Sequence, residues 1–207
     1  ESVPERRVLL LDTDPQAHCS LSLGVSTSNP GVDELFRDRG TTLKEVGLDL
    51  DRDGFRLGFI PSGGDRLIEP ARIAAGEGRD GLTYLGERAE EFERLADVLV
   101  IDTPPAKGTI TFNVAVLLDQ LMSLGASGGV VIPTRTGRLD LDGVGSIFQQ
   151  SEVLEDMDRR VPVVATLPFA MESRTISAEK TTKALDGLDT PRTPTVRKTV
   201  RGYEAPQ

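Results

Sequence analysis

The 207-residue sequence has one cysteine, no tryptophan and only 4% aromatic residues. A single thiol, Cys19, excludes an internal disulfide and any metal cluster that needs several cysteines; a reducing, cytoplasmic setting is the simplest expectation. So few aromatics argue against a base-stacking platform. Positive charge is also short, with 24 Lys and Arg against 33 Asp and Glu and a net charge of −9. That balance excludes a surface that grips nucleic acid everywhere, though not one local basic patch. No apolar run nears the roughly 18 residues of a membrane span, and no secretory pattern opens the chain. The sequence starts at Glu1 rather than Met, so a fragment or trimmed chain is expected.

Hydrophobic residues make up 38%, and 21 glycines bring the apolar share near that of ordinary globular domains. The chain can therefore bury a core, and its length fits one compact domain. Five short apolar runs recur: Val8 to Leu11, Phe55 to Ile60, Val98 to Ile101, Gly129 to Ile132 and Val161 to Leu167. Apart from Phe55 to Ile60 they show little polar alternation, as strands buried on both faces do. Helical patterns separate them. Leu82, Leu85, Ala89, Phe92 and Leu95 recur at spacings of three and four, and Ile110 to Leu124 is largely apolar. Val144 to Met157 and Ser177 to Leu185 suggest two more helices. The alternation predicts an α/β fold: a doubly wound, mostly parallel sheet flanked by helices, whose ligand site lies beyond the carboxyl ends of the strands.

Three of those run ends carry Asp12, Asp102 and Pro133. In Leu10-Leu11-Asp12-Thr13-Asp14-Pro15-Gln16, a strand delivers two carboxylates two positions apart, which puts them on one side of an extended chain. Such a pair can hold a hydrated Mg²⁺ and orient a water. The same residues also fit a plain strand followed by an Asp-Pro turn. Val98-Leu99-Val100-Ile101-Asp102-Thr103-Pro104-Pro105 places an acid at a buried strand end, the Walker-B arrangement that faces a nucleotide's metal; a capped parallel strand is the alternative. Near the end of the sequence, Arg197, Lys198 and Arg201 put three cations within five residues, either a phosphate-contacting patch or a solvated terminus.

Taken in order, these motifs resemble the ParA/Soj partition ATPases, deviant-Walker relatives of MinD. The resemblance also draws on Ile132-Pro133-Thr134, Leu141 to Val144, Arg174-Thr175, and Arg201 with Glu204-Ala205-Pro206, and runs from about Arg7 to Gln207. It implies a P-loop NTPase-like fold over residues 1–207 as a single domain, and ATP and Mg²⁺ as cofactors. It implies a homodimer that sandwiches two nucleotides, non-specific DNA binding, stimulation by a ParB-type partner, no membrane, and a nucleoid-associated place in the cytoplasm. By the same resemblance Asp14 orients the attacking water, and Asp12 and Asp102 lie near Mg²⁺. Val196, Arg197 and Lys198 lie against the base, and Arg174, Arg192 and Arg201 contact DNA phosphates. The family's Lys-Gly-Gly-x-Gly-Lys-Thr loop is not among these 207 residues, nor is the strand before it, and Lys107-Gly108-Thr109 lacks the glycine ladder that cradles phosphates. A non-catalytic ParA-like module, keeping the partner surface without nucleotide turnover, is therefore the alternative expectation.

Two smaller features are read as structural. His18 and Cys19 are adjacent, so their side chains diverge, and they are expected to pack at a helix start. Asp49, Asp51 and Asp53 lack the glycine and terminal Glu of a Ca²⁺ loop and are expected to form a solvated turn.

Overall fold

The computed structural model describes residues 6–52, 55–105, 108–134, 159 and 161–168. They fall into two compact units, divided between Ala126 and Ser127. The first holds four strands, β1 (Val8–Asp12), β2 (Leu48–Arg52), β3 (Phe55–Ile60) and β4 (Val98–Asp102), in the order β2-β3-β1-β4. β1 runs parallel to both β3 and β4, and β2 pairs antiparallel with β3. The helices are α1 (His18–Ser22), α2 (Val32–Arg37), α3 (Leu43–Val46), α4 (Ile68–Gly76), α5 (Ala89–Leu95) and α6 (Thr109–Ser123), with short 3-10 turns before α4 and α5. The second unit contains a parallel pair, β5 (Val130–Thr134) and β6 (Val163–Pro168). The mostly parallel sheet with flanking helices is the expected α/β class.

The core explains why the runs fold as they do. Leu9 and Leu11 of β1 and Ile60 of β3 are buried with Leu35, Leu67, Leu85, Phe92 and Leu117 in one cluster. Val8 and Leu10, which alternate with them on β1, are only half-buried, and Val100 of β4 is 49% exposed. One face of these strands is thus buried by the described residues, whereas the unbroken apolar runs suggested two. All five expected strands are present.

Two expectations need correction. Asp49 and Asp51 do not sit in a turn: they alternate with Leu48 and Leu50 along β2, opposite Gly58 and Arg56 of β3. The pattern from Leu82 to Leu95 is not one helix but two 3-10 turns followed by α5. Glycines break it: a Cβ at Gly81 would fall 1.7 Å from the Ala74 carbonyl oxygen, and one at Gly86 2.7 Å from Val116 Cγ1. The helices expected at 144–157 and 177–185 lie outside the described residues.

Candidate functional site

The two acid motifs meet at the ends of paired strands. In the β1–β4 register Asp12 stands opposite Asp102. Thr13, fully buried, locks that end, since its N–H and its hydroxyl both donate to the Asp102 carbonyl oxygen, at 2.9 and 2.7 Å. β1 stops at Asp12, and Asp14 belongs to the turn beyond it. The strand rule that would put both carboxylates on one side therefore does not reach Asp14.

The turn is built by its own side chains. Asp14 Oδ1 accepts the Gln16 N–H at 2.9 Å, and the Asp14 carbonyl accepts the Ala17 N–H at 2.8 Å. Pro15 fixes φ in the middle, as Asp-Pro turns require. Ala17 then adopts φ 53°, the one left-handed non-glycine among the described residues, and α1 begins directly after it. A left-handed alanine costs about 1–2 kcal/mol, so surrounding contacts must hold this reversal in place.

Asp12 supplies such contacts. It is fully buried; its Oδ2 accepts the Ser20 N–H at 2.8 Å and the Ser20 hydroxyl at 2.6 Å, while its Oδ1 accepts the Asp14 N–H at 3.1 Å. Ser20 Oγ in turn receives the Ser62 N–H at 3.4 Å, tying in the loop after β3. That loop turns through Gly63, whose φ of 79° favours glycine and whose Cβ would fall 2.1 Å from Asp33 Oδ1.

The electrostatics at the strand ends are acidic. The Asp102 carboxyl is held above its ordinary value, first by desolvation and then by the negative charges of Asp12 and Asp14; His18 opposes this. The Cys19 thiol is pushed up to about 11 by burial and by Asp12 and Asp102, which favours its protonated form at neutral pH. Among the described residues no group of three or more His, Cys, Asp or Glu side chains converges to hold a metal ion. Mg²⁺ typically takes one or two carboxylates plus phosphates and water, a donor set to which the exposed Asp102 carboxylate can contribute. A cavity of about 510 Å³ lies elsewhere, lined among others by Arg7, Leu9, Leu43, Lys44, Arg56 and Leu57, and none of the site carboxylates borders it.

Val196, Arg197, Lys198, Arg174, Arg192 and Arg201 lie outside the described residues. The sequence reading gave no role to Thr13, Ser20 or Ser62. Ser62 belongs to the Pro61-Ser62-Gly63-Gly64 stretch after β3, and Ser20, eight residues after Asp12, follows no strand or helix period from it.

No family model matches the chain. The chromosome-partitioning ATPase Soj of Thermus thermophilus is 30% identical over 178 residues, which cover 84% of this chain and 61% of that protein. The chain is similar in sequence to the ParA/Soj-type partition ATPases. Solved structures agree on the fold. A Cyanothece McdA in complex with ATP superposes with a TM-score of 0.72 at 21% identity, over 88% of this chain and 68% of that one. A cobyrinic acid a,c-diamide synthase from Mycobacterium smegmatis, with an ATP analog and magnesium bound, gives 0.71 at 23% identity, over 90% and 72%. The chain spans 54–61% of the length of the curated relatives it matches.

Proposed function

We propose that this chain is the core of a partition ATPase that hydrolyses the β–γ bond of ATP with Mg²⁺ and uses the cycle to distribute DNA or another cargo. The observation that carries the reading is the β1–β4 register, which sets Asp12 beside Asp102 and places the Asp14 turn just beyond the same strand ends. Asp14 holds the attacking water, and its Asx turn fixes the carboxylate that does so. Asp102 stands at the metal side, where a cation would offset the desolvation and the acidic crowding that raise its carboxyl. Mg²⁺, when bound, neutralises charge on the phosphates. Val196, Arg197 and Lys198 contact the base.

The phosphate loop has to come from sequence beyond these 207 residues. β4 is the outer strand of the four-stranded sheet among the described residues, so its free edge can take a further parallel strand carrying that loop. The same reading has residues 1–207 act as one domain of a homodimer stimulated by a ParB-type partner. ATP-bound dimers hold DNA phosphates without reading bases, through Arg174, Arg192 and Arg201, in the cytoplasm on the nucleoid. Support comes from the named relatives, a Soj and a ParA of Thermus thermophilus.

The other reading is a non-catalytic ParA-like module. Isothermal titration of ATP–Mg²⁺ into this chain and into an N-terminally extended chain carrying the loop separates the two. The ATPase reading expects weak or no binding by the 207 residues and tight binding by the extended chain. Equal, negligible binding by both would overturn it.

A further inference from the structure

The resemblance puts Asp12 near the metal, but its surroundings give it different work. We infer that Asp12 is a positioning residue: through Ser20 and the Asp14 backbone it holds the turn that presents Asp14, and it binds no metal. The inference rests on the ATPase reading for what Asp14 does; the anchoring itself does not.

A metal ligand needs a lone pair that a cation can reach. Asp12 is fully buried, and its two oxygens already receive three hydrogen bonds, from Ser20 N, Ser20 Oγ and Asp14 N. Three of the carboxylate's four lone-pair sites are thus taken, and the fourth, on Oδ1, belongs to a fully buried group that a hydrated cation does not reach unless the protein opens. Asp14 contrasts with it. Its Oδ1 accepts the Gln16 N–H, and no protein donor falls on its Oδ2 among the described residues.

The three bonds on Asp12 clamp both ends of the Asp14 turn. Asp14 N marks where the chain leaves β1, and Ser20 lies within α1, three residues past the left-handed Ala17. Ser20 is itself fully buried, and its hydroxyl receives the Ser62 N–H, so the clamp is braced from the loop after β3. On the other side Thr13 is held by both of its bonds to the Asp102 carbonyl. The turn is fixed between two strands, and Asp12 is the group on which the fixing converges.

Asp12→Asn tests this with almost no change of shape. Two backbone N–H groups point at the two carboxylate oxygens of Asp12. An amide offers one oxygen and one NH₂, so one of those N–H groups must face a donor. In the 207-residue chain, without Mg²⁺ or nucleotide, hydrogen exchange at Asp14 N or Ser20 N should accelerate at least tenfold in Asp12→Asn. Asp102→Asn should leave both amides protected. Unchanged protection at both amides in Asp12→Asn would overturn the anchor.

The functional half is read in the extended chain that carries the phosphate loop. Ser20→Ala should lower kcat about 10–100-fold, the usual range for a group supporting a site from behind, with KM for ATP and the Mg²⁺ requirement unchanged. Ser20→Thr, which keeps the hydroxyl, should restore most of the rate. A rise of more than tenfold in the Mg²⁺ needed for half-maximal rate in Asp12→Asn, with kcat intact, would make Asp12 a metal ligand and sink the proposal. If the unmutated extended chain binds no ATP and turns none over, the ATPase reading has failed, and the exchange data still decide whether Asp12 is the anchor.

Discussion

Asn113→Leu should be among the most damaging single substitutions in the first unit. Asn113 sits on α6, the helix that follows the Asp102 loop, and is fully buried. Its Oδ1 accepts the Leu85 N–H at 3.1 Å, and its Nδ2 donates to the Gly81 carbonyl at 2.8 Å and the Thr109 carbonyl at 3.0 Å. Leucine fills the volume but strands the buried Leu85 N–H and Gly81 carbonyl. Each orphan costs about 1–3 kcal/mol, and the added apolar burial returns roughly 1, leaving a net loss of about 3 kcal/mol. For a chain of this size that lowers Tm by roughly 6–12 °C. Thermal and urea unfolding followed by circular dichroism read both quantities. A loss below about 1 kcal/mol, with the unfolding cooperativity unchanged, would refute the claim that Asn113 joins α6 to the 3-10 turns before α5.

Gly63→Ala combines a left-handed φ with a Cβ 2.1 Å from Asp33 Oδ1 and should cost about 3 kcal/mol; in urea titrations, pairing it with Asp33→Ala should cost at least about 1 kcal/mol less than the sum of the singles. The Asp97 carboxyl is held down to about 2 by its hydrogen bonds from Arg7, so its contribution is present above the ordinary carboxylate range and lost as pH falls toward 2. The stability gap between wild type and Asp97→Asn, measured by unfolding across pH, should therefore stay constant above pH about 4 and close below it. In an extended, ATP-bound chain, fluorescence titration should give the same affinity for two unrelated duplexes, falling steeply with salt, and Arg201→Ala should reduce the log–log salt slope by about one.

β1 and β4 were legible in the sequence because unbroken apolar runs ending in Asp12 and Asp102 have few other uses, and α6 because its apolar face spans four turns. β2 was not: Leu48-Asp49-Leu50-Asp51 carries the period of a strand, but acids so dense also match a solvated turn, and only pairing with β3 decides between them. The stretch from Leu82 to Leu95 kept helical spacing while its backbone did not. Gly81 and Gly86 exist there for close approach, and Asn113 takes the Leu85 N–H out of helical service. At the site, the motifs located the acids but not their partners. The direction of the Asp12 carboxylate depends on Ser20, and Ser20 reaches it only because Ala17 reverses the chain.

The central claim is that the Asp14 turn, set at the ends of β1 and β4, activates water for ATP hydrolysis. The direct measurement compares ATP turnover and ATP–Mg²⁺ affinity for an extended, loop-bearing chain and its Asp14→Ala variant. Positioning a water matters in the transition state far more than in the ground state, so kcat should fall by at least about 100-fold while affinity changes less than about threefold. Turnover by Asp14→Ala at the unmutated rate would contradict the account.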